Sequence, residues 1–463
     1  MKKDRLPEEY LNEMRDLLGP EYSSYLSSLE ERPCSGLRVN TLKAAPEQIA
    51  GHFGLTERVP WNDCGFYISG ESRFTKHPYY SAGLYYIQEP SAMISAASLG
   101  TCPGERILDL CAAPGGKTTQ IGAELKGSGI LIANDLSASR AKALLKNIEL
   151  MGIRNACVTA EDSGRLRQEF PLWFDRILVD APCSGEGMFR KHPAVLTGWI
   201  EHGRDFYCPV QEKLLDDAAE MLRPGGTLLY STCTFNRHED EDQILAFLSR
   251  HPDFSLDPGT LKEGCSDSAL LPGTCRIFPQ RTRGEGHFAA RLKKAGGETL
   301  RKSRQEHARG AFSGSRAETR ARERSRGSLS GLAEFLEKCS WKPDMDRILL
   351  QGENVLHLPG EIAGRGLPLR FLRTGLLLGQ LKNGRFRPSQ ALAMSLRKED
   401  WMDPVDLPSD SDAVQRYLRG ETIEAPDPGS GYRLFCTDGW PLGFVKQDRG
   451  RLKNMMLPAW RMQ

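Results

Sequence analysis

The sequence predicts an α/β fold whose core is a parallel β-sheet covered by helices on both faces. Between Arg106 and about Lys294, short apolar runs rich in β-branched residues alternate with longer stretches of helical periodicity, which is the pattern of strands joined by helical crossovers. Two of these runs, Arg176–Val179 and Thr227–Tyr230, are each followed shortly by a cysteine. Since open α/β sheets bind ligands at the carboxyl ends of their strands, the same pattern indicates where a site would lie.

The individual elements follow from the same alternation. Apolar runs that are uninterrupted on both faces predict buried parallel strands. The predicted strands are Ile107–Cys111, Gly129–Asp135, Ala156–Ala160, Phe174–Asp180 and Thr227–Thr232, and the predicted helices are Gly116–Leu125, Ala138–Met151, Val210–Leu222 and Glu239–Ser249. Two further segments, Arg276–Pro279 and His287–Leu292, flank a glycine-containing turn and predict an antiparallel pair at one edge of the sheet.

The amino-terminal part has a different pattern. Residues 1–30 are predicted to be helical, because Pro7 suits a helix start and apolar residues follow at helical spacing. Leu37–Lys43 alternates like a strand, and Pro46 opens a second helical pattern. The stretch 61–86 mixes aromatic and basic residues. Such a mixture can stack on and clamp nucleic acid, or it can be a small core with tyrosines at its rim, and the composition leaves both interpretations open.

Residues 295–331 contain eight arginines and one lysine against four glutamates, with few large apolar side chains. Because such a segment cannot bury enough surface to offset its ordering entropy, we predict a disordered basic linker, either a solvated tether or a contact for RNA phosphates. Beyond it, apolar periodicity resumes. Residues 400–463 are predicted to form a small, basic, strand-rich domain with a turn at Asp438-Gly439.

Length and composition limit the class of protein. A chain of 463 residues is expected to form about three domains, and its 39% hydrophobic and 26% charged residues are ordinary for a globular protein. No apolar run approaches the ~18 residues of a membrane span, and the start resembles no signal peptide, so we expect a cytoplasmic location. The twelve cysteines form no Cys-x-x-Cys pair or Cys/His cluster. Neither a zinc site nor a disulfide framework is indicated, and no metal is expected.

A glycine-rich turn joins the first predicted strand to its helix. Its residues are Cys111, Ala112, Ala113, Pro114, Gly115, Gly116 and Lys117. Small residues let a ligand approach the backbone, and the helix amino end favours a carboxylate or phosphate. The Gly-Lys-Thr end is similar to a P-loop, but Cys111 stands where that motif needs its first glycine. We therefore exclude a nucleoside triphosphatase.

Two aspartates follow the next strands. Asp135 ends the second strand, roughly 20 residues after the glycine-rich turn, where an acidic side chain can accept the hydroxyls of a ribose. Asp162 follows the third strand and is placed to meet an adenine amino group. An adenosine-containing ligand without a pyrophosphate cradle indicates S-adenosylmethionine. Helix capping by Asp135 and a loop turn at Asp162 are the structural alternatives.

Two cysteine stretches follow the later strands. Their sequences are Asp180-Ala181-Pro182-Cys183-Ser184-Gly185 and Ser231-Thr232-Cys233-Thr234. A thiol at such a position can act as a nucleophile, but free cysteine is also among the most buried residues. Position alone leaves both interpretations open.

These stretches carry a specific resemblance. Motifs at Cys111–Lys117, Asp180–Lys191 and Ser231–Phe235 resemble those of the Sun-family RNA cytosine 5-methyltransferases, and Arg38–Lys43 and Gln88–Ser91 resemble the amino-terminal signatures of that family. The carboxyl-terminal region is similar to that of the RsmF-type bacterial members, which add a PUA-like RNA-binding module. Pro441-Leu442-Gly443 and Leu452-Lys453-Asn454 carry this weaker similarity.

The resemblance implies an organisation for the whole chain. It implies a Rossmann-like class I methyltransferase sheet between two α+β regions that bind RNA. The implied parts are an N-terminal RNA-binding domain (1–92), the catalytic domain (93–294), the basic flexible linker (295–331), an RsmF-like C-terminal domain (332–398) and the PUA-like domain (399–463). The implied cofactor is S-adenosylmethionine, and the implied partner is RNA, with small-subunit ribosomal RNA favoured and tRNA as the alternative. A monomer is the default.

The resemblance also implies roles for single residues. Cys233 would attack carbon 6 of cytosine, Cys183 would assist product release, and Asp180 would bind the N3–amino edge of the base and lie near the cofactor. Lys117 would offer positive charge to the cytosine carbonyl and help lower a thiol pKa. The implied cofactor-binding residues are Cys111–Lys117, Asp135, Asp162 and Asp180, with Cys111 lending mainly its backbone.

Cys183 as the nucleophile and a protein without catalytic activity are the two alternatives to this assignment. DNA cytosine methyltransferases use a Pro-Cys after the fourth strand, which would make Cys183 the nucleophile, whereas the RNA-type flanks favour Cys233. A catalytically idle RNA-binding or assembly factor on the same scaffold is the alternative from another class. Such a protein is expected to have lost a cysteine, the glycine-rich turn or Asp135, all of which are present.

Overall fold

The computed structural model of the chain describes residues 6–203, 205–260, 262–296 and 329–462. Most of the predicted basic linker, residues 297–328, lies outside the described residues. Within the described ranges, no helix is both long and apolar enough to cross a membrane. Over the same ranges, no three His, Cys, Asp or Glu residues are grouped so as to hold a metal ion.

The first part of the chain consists of short helices and a three-stranded sheet. Its elements are α1 (Glu8–Leu18), α2 (Tyr22–Ser28), β1 (Ser35–Val39), α3 (Pro46–Phe53), β2 (Gly65–Ile68), α4 (Glu71–Thr75), α5 (Pro78–Ser81) and β3 (Tyr85–Gln88). The strand order is β2-β1-β3, with β1 and β2 antiparallel. The helix predicted over 1–30 is interrupted after α1, because Gly19 adopts a φ of +51° and Pro20 follows it.

Most of the aromatic stretch is interior. Trp61, Phe66, Phe74 and Tyr85 are each at most 3% exposed. For these four residues the structure therefore supports the small-core interpretation rather than RNA stacking.

The central part of the chain alternates strands and helices. Its elements are α6 (Met93–Leu99), β4 (Arg106–Asp109), α7 (Gly116–Glu124), β5 (Ile130–Asn134), α8 (Ala138–Leu150), β6 (Ala156–Thr159), α9 (Ser163–Glu169), β7 (Phe174–Asp180), α10 (Pro193–His202), α11 (Cys208–Met221), β8 (Leu222–Thr232), α12 (Glu241–Arg250), β9 (Phe254–Leu256), β10 (Ser266–Asp267), β11 (Cys275–Ile277) and β12 (His287–Lys294). These elements confirm the predicted alternation and add α9 and α10.

The main sheet places the ends of its parallel strands side by side. The strands β10-β11-β12-β8-β7-β4-β5 are neighbours in that order. Strand β4 is parallel to β5 and β7, and β7 is parallel to β8. Strand β12 runs antiparallel to both β8 and β11, which confirms the predicted antiparallel pair. Leu108, Ile132, Leu178 and Leu229 in four of these strands are fully buried, as expected for strands covered on both faces.

The carboxyl-terminal part is built on two small antiparallel-rich sheets. Its elements are α13 (Ser330–Glu337), β13 (Ile348–Gln351), β14 (Asn354–His357), β15 (Phe371–Thr374), β16 (Leu376–Lys382), β17 (Arg385–Pro388), α14 (Gln390–Ser395), β18 (Val405–Leu407), α15 (Asp412–Leu418), β19 (Ile423–Glu424), β20 (Gly431–Thr437), β21 (Trp440–Asp448) and β22 (Arg451–Asn454). The sheets have the orders β13-β14-β16-β17 and β18-β20-β21-β22-β19. The turn predicted at Asp438-Gly439 joins β20 to β21, and both of its residues have positive φ, as hairpin turns of this type require.

The chain divides into two compact units, and each of them is assembled from three separate stretches of the sequence. One comprises residues within 1–71, 86–144 and 159–297, and the other comprises 72–85, 145–158 and 298–463. In the second unit, a core of Leu332, Phe335, Trp401 and Phe444 lies under α13 and the two small sheets. The division into five domains predicted from the sequence stays a prediction.

Candidate active site

The two cysteine stretches meet in the first unit. Because Asp180 at the end of β7 pairs with Ser231 near the end of β8, the loops that follow these strands start side by side. The Sγ atoms of Cys183 and Cys233 are 3.4 Å apart. The backbone amide of Cys233 also donates to Cys183 Sγ, at 3.4 Å. Two thiols that are 50 residues apart in the sequence thus form one centre.

Several hydrogen bonds join the two cysteine loops. The hydroxyl groups of Ser184 and Thr234 are 2.7 Å apart, and the amide of Gly187 donates to the carbonyl of Cys233 at 2.9 Å. A side chain at position 187 would meet that carbonyl, since a Cβ there would lie 2.9 Å from it. The loops are therefore fixed against each other by backbone as well as side-chain contacts.

Two buried glutamates form hydrogen bonds with these loops. Neither glutamate was a candidate on the basis of the sequence. Glu186 accepts from the amide of Phe235 at 3.1 Å and from Trp199 Nε1 at 3.0 Å. Glu239 accepts from the amide of Ser184 at 3.0 Å. Burial, reinforced by Glu239, raises the pKa of Glu186 to about 7. The pKa of Glu239 is raised as well, again mainly by burial.

A lysine–aspartate pair lies at the same end of the sheet. Lys117 Nζ, in the first turn of α7, is 2.7 Å from Asp180 Oδ2, and Ser231 Oγ donates to Asp180 Oδ1 at 2.9 Å. Burial alone would lower the pKa of Lys117, but the Asp180 carboxylate outweighs it and raises that pKa. Cys233 contributes electrostatically in the same direction. A positive charge therefore persists next to the nucleophile candidate.

His287 lies beside the Lys117–Asp180 pair, although the sequence did not indicate it as a site residue. It opens β12 and is 1% exposed, with Nε2 2.9 Å from Ser95 Oγ and 3.9 Å from Asp180 Oδ1. Burial, together with the Lys117 ammonium, lowers the pKa of His287 to about 3, so the imidazole is neutral near pH 7. From the sequence, His287 is only a histidine at the start of a predicted strand, which carries no functional signal by itself.

The thiol of Cys183 is held in its protonated form. Its hydrogen bond to Cys233, followed by burial, raises the pKa of Cys183 well above the ordinary value. Burial also raises the pKa of Cys111, followed by the charge of Asp109. Cys111 is therefore an unreactive thiol in the glycine-rich loop.

The glycine-rich loop connects β4 to α7 and is held by Asp135. The amide of Ala113 donates to Asp135 Oδ2 at 3.3 Å, and the amide of Ser137 donates to Asp135 Oδ1 at 3.0 Å. Arg140 binds the other side of the loop, with Nη2 2.8 Å from the carbonyl of Ala113 and 3.3 Å from Asp135 Oδ2. Gly115, with a φ of +111°, allows the turn into α7.

The loop fits a cofactor with an amino-acid end and a ribose. Asp109 at the end of β4 is fully buried, yet its Oδ1 has no hydrogen-bond partner among the described residues. Its Oδ2 accepts from Thr118 Oγ1 at 2.6 Å. An unpartnered buried carboxylate oxygen is costly unless a ligand donor satisfies it. Together with Asp135 and the amino end of α7, it provides the donor and acceptor set that S-adenosylmethionine needs.

Asp162 has other partners. It caps α9 by accepting from the amide of Gly164 at 2.9 Å, and it pairs with Lys213 Nζ at 3.1 Å. Its side chain is 54% exposed. Asp162 thus has a structural role as a helix cap, where the structural alternative from the sequence was a loop turn, and contact with adenine stays a prediction.

Family models match nearly the whole chain. The model of the 16S rRNA methyltransferase RsmB/F matches residues 96–293. The models of the N-terminal domain, the first C-terminal domain and the PUA domain of RsmF match 6–90, 334–396 and 404–462. The chain is 32% identical to "Ribosomal RNA small subunit methyltransferase F" of Escherichia coli O7:K1 over 97% of its own length and 95% of that protein. The chain belongs to the ribosomal RNA small subunit methyltransferase F family.

Solved structures agree with this family. A methyltransferase homologue from Pyrococcus horikoshii is 28% identical, with a TM-score of 0.55 over 64% of this chain and 100% of its own. NSun6 from the same organism, at 22% identity and a TM-score of 0.56 over 64% of this chain and 100% of its own, shows the same fold. The fold class predicted from the sequence is confirmed. As a member of this family the chain is an RNA methyltransferase of the cytosine-5 type, and its methyl donor is S-adenosylmethionine.

Proposed function

We propose that this protein methylates carbon 5 of cytosine in small-subunit ribosomal RNA and that Cys233 forms the covalent bond to the base. One observation carries the proposal: the Cys183 and Cys233 Sγ atoms lie 3.4 Å apart, and the Lys117–Asp180 pair lies at the same end of the sheet. The names of the relatives support the ribosomal RNA substrate. A ribosomal RNA substrate is consistent with the cytoplasmic location expected from the sequence.

The chemistry needs a nucleophile because carbon 5 of cytosine reacts poorly by itself. Addition of the Cys233 thiolate to carbon 6 makes carbon 5 electron-rich. Lys117 and Cys233 interact electrostatically, and the protonated Cys183 can donate a hydrogen bond to the Cys233 sulfur. Asp180 would bind the N3–amino edge of the base. To reach these groups, the cytosine must leave its stack.

The cofactor supplies the methyl group when it is bound. Cys111–Lys117 and Asp135 would hold it, with Asp162 toward its adenine and Asp180 between cofactor and base. After carbon 5 has accepted the methyl group, it loses its proton to a base and the bond between Cys233 and carbon 6 breaks. Cys183, which contacts the Cys233 sulfur, is the group placed to assist this release.

Trapping with RNA that contains 5-azacytidine tests the assignment of the two cysteines. We expect Cys233→Ala to form no covalent protein–RNA adduct, because the attacking sulfur is gone. Cys183→Ala should accumulate an adduct even with unmodified RNA, because release is impaired. Cys102→Ser, which removes an exposed thiol, is the control and should behave like the wild type. Adducts that survive in Cys233→Ala would assign the attack to Cys183, as in the DNA-type alternative.

Transfer RNA is the alternative substrate, since related enzymes share the catalytic motifs. Bisulfite sequencing of ribosomal RNA and tRNA from a deletion strain separates the two. Loss of a methylated cytosine from small-subunit ribosomal RNA alone supports the proposal, whereas loss from tRNA alone contradicts it. Transfer of tritiated methyl groups to bulk RNA excludes the idle assembly factor.

A further inference from the structure

Arg38 is a buried cation that the proposed chemistry does not use. It lies on β1 in the amino-terminal sheet and is 4% exposed. Among the described residues it forms no ion pair, and its guanidinium lies over the ring of Tyr86 at 5.6 Å. Glu124 acts on this charge only electrostatically, without an ion pair. A buried charge that no carboxylate contacts directly is expensive, so its other contacts need a physical explanation.

The hydrogen bonds of Arg38 all go to neutral oxygen atoms, and these converge on the cofactor loop. Its Nη1 donates to the carbonyl of Gly116 and to Gln88 Oε1. Its Nη2 donates to Thr119 Oγ1 at 2.7 Å. Thr119 Oγ1 in turn donates to the carbonyl of Gly115 at 2.7 Å. One guanidinium therefore holds two consecutive loop carbonyls, one directly and one through Thr119.

We propose that Arg38 is a positioning residue for the cofactor site, because it holds the Gly115 and Gly116 carbonyls and thereby orients the amide groups at the start of α7. A peptide group is rigid, so fixing its carbonyl also fixes the direction of the amide that follows. The amides at the start of a helix are the groups that bind a ligand carboxylate. Arg38 acts on the cofactor through the backbone and touches neither cofactor nor base. The inference rests on the proposed assignment of this loop to the cofactor.

Gln88 completes the arrangement from the neighbouring strand. Its Oε1 accepts from Arg38, and its Nε2 lies 3.4 Å from the carbonyl of Ala92. A Cβ at Gly116 would lie 3.4 Å from Gln88 Nε2, so Gln88 fills the space beside the loop. Arg38 and Gln88 belong to the two amino-terminal motifs that resemble those of the family. In the structure, these two motifs meet at the cofactor loop.

Binding of S-adenosylhomocysteine, measured by calorimetry without RNA, tests the proposal. Lysine keeps the charge but cannot form the planar fork of bonds, so we expect Arg38→Lys to raise the Kd by about tenfold or more. Thr119→Val should raise it by about threefold to tenfold, because the link to Gly115 is lost. Arg58→Lys is the matched control. That half-exposed arginine pairs with Glu47, and its loss should change the Kd by less than about twofold.

The double variant separates positioning from general stability. Part of the contact between Arg38 and the loop runs through Thr119. The Kd of the double variant Arg38→Lys/Thr119→Val for S-adenosylhomocysteine should therefore lie within about twofold of the Kd of Arg38→Lys alone. A Kd near the wild-type value in a folded Arg38→Lys variant, or fully additive effects, would overturn the proposal. Should Arg38→Lys fail to fold, Thr119→Val decides, and an unchanged Kd there overturns it. Absence of binding by the wild type would instead contradict the cofactor assignment of the loop.

Discussion

The two cysteines of the site differ in the groups that surround their thiols. Cys183 contacts the sulfur and the amide of Cys233. Its hydrogen bond to Cys233, followed by burial, raises its pKa, so it stays a thiol. Cys233 interacts with the Lys117 ammonium. A thiolate is the reactive form of cysteine, and this difference in surroundings favours Cys233 as the attacking group.

Lys117→Met should slow methyl transfer about 100-fold or more, the effect of removing a preorganised charge from an active site. Asp180 would lose its 2.7 Å partner, and the Cys233 thiolate would lose its nearby positive charge. Single-turnover rates with ribosomal RNA and S-adenosylmethionine measure the effect. Lys142→Met, on the exposed face of α8, is the control. A Lys117→Met rate within about tenfold of the wild-type rate would show that the ammonium is not needed for the chemistry.

Two buried acids bind the loops after β7 and β8. Glu186 binds the loop after β8 and α10 together, through Phe235 and Trp199, and Glu239 binds the loop after β7 through Ser184. A buried acid with a raised pKa is more stable protonated than ionised. We therefore expect ionisation of these carboxyl groups to weaken the packing of the loops that carry the two thiols.

The raised pKa of Glu186 predicts a pH-dependent stability. Its value of about 7 in the folded protein exceeds its ordinary value of 4.5. The stability that the protonated form contributes is thus fully present below pH 4.5 and is lost as the pH rises through 7. The Glu186→Gln side chain cannot ionise, so this variant should not show the loss of about 3 kcal/mol.

Melting temperatures at pH 5 and pH 8 test this expectation. The Tm of Glu186→Gln relative to the wild type should rise by about 5 °C between these two values. Glu8→Gln, an exposed acid on α1, is the control and should track the wild type. Parallel pH profiles of Glu186→Gln and the wild type would show that Glu186 does not titrate in this range.

The elements of the main sheet could be predicted because strands buried on both faces have continuous apolar sequences. Strands β4 to β8 lie where such runs occur, within a few residues except for the start of β8. The glycine-rich turn and the cysteine pair followed from the positions of these strand ends. Glu186 and His287 could not be found in this way, since an acid or a histidine is functional here only through its burial by distant elements. The capping role of Asp162 was open to sequence reasoning, because its partner Gly164 is local.

At the scale of the whole molecule, the second unit includes two segments from earlier parts of the chain. In the segment 72–85, Tyr79 Oη donates to Asp438 Oδ2 at 3.1 Å. In the segment 145–158, the carbonyl of Ala156 accepts from the amide of Gly375 at 3.1 Å, and Arg154 Nε donates to the carbonyl of Ser395 at 3.0 Å. The carboxyl-terminal region is therefore part of a unit that earlier segments complete.

Removing residues 297–463 should consequently destabilise what remains. Strand β6 would lose its pairing with β15, and Cys157 and Val158, now fully buried, would lose the surroundings that the second unit provides. Unpaired strand edges promote aggregation. We expect the fragment 1–296 to aggregate or to melt at least about 10 °C below the full chain, as measured by light scattering and calorimetry. Deletion of residues 303–324, within the predicted linker, is the control and should leave the Tm unchanged. A monodisperse fragment with the Tm of the full chain would show instead that the carboxyl-terminal region is an independent module.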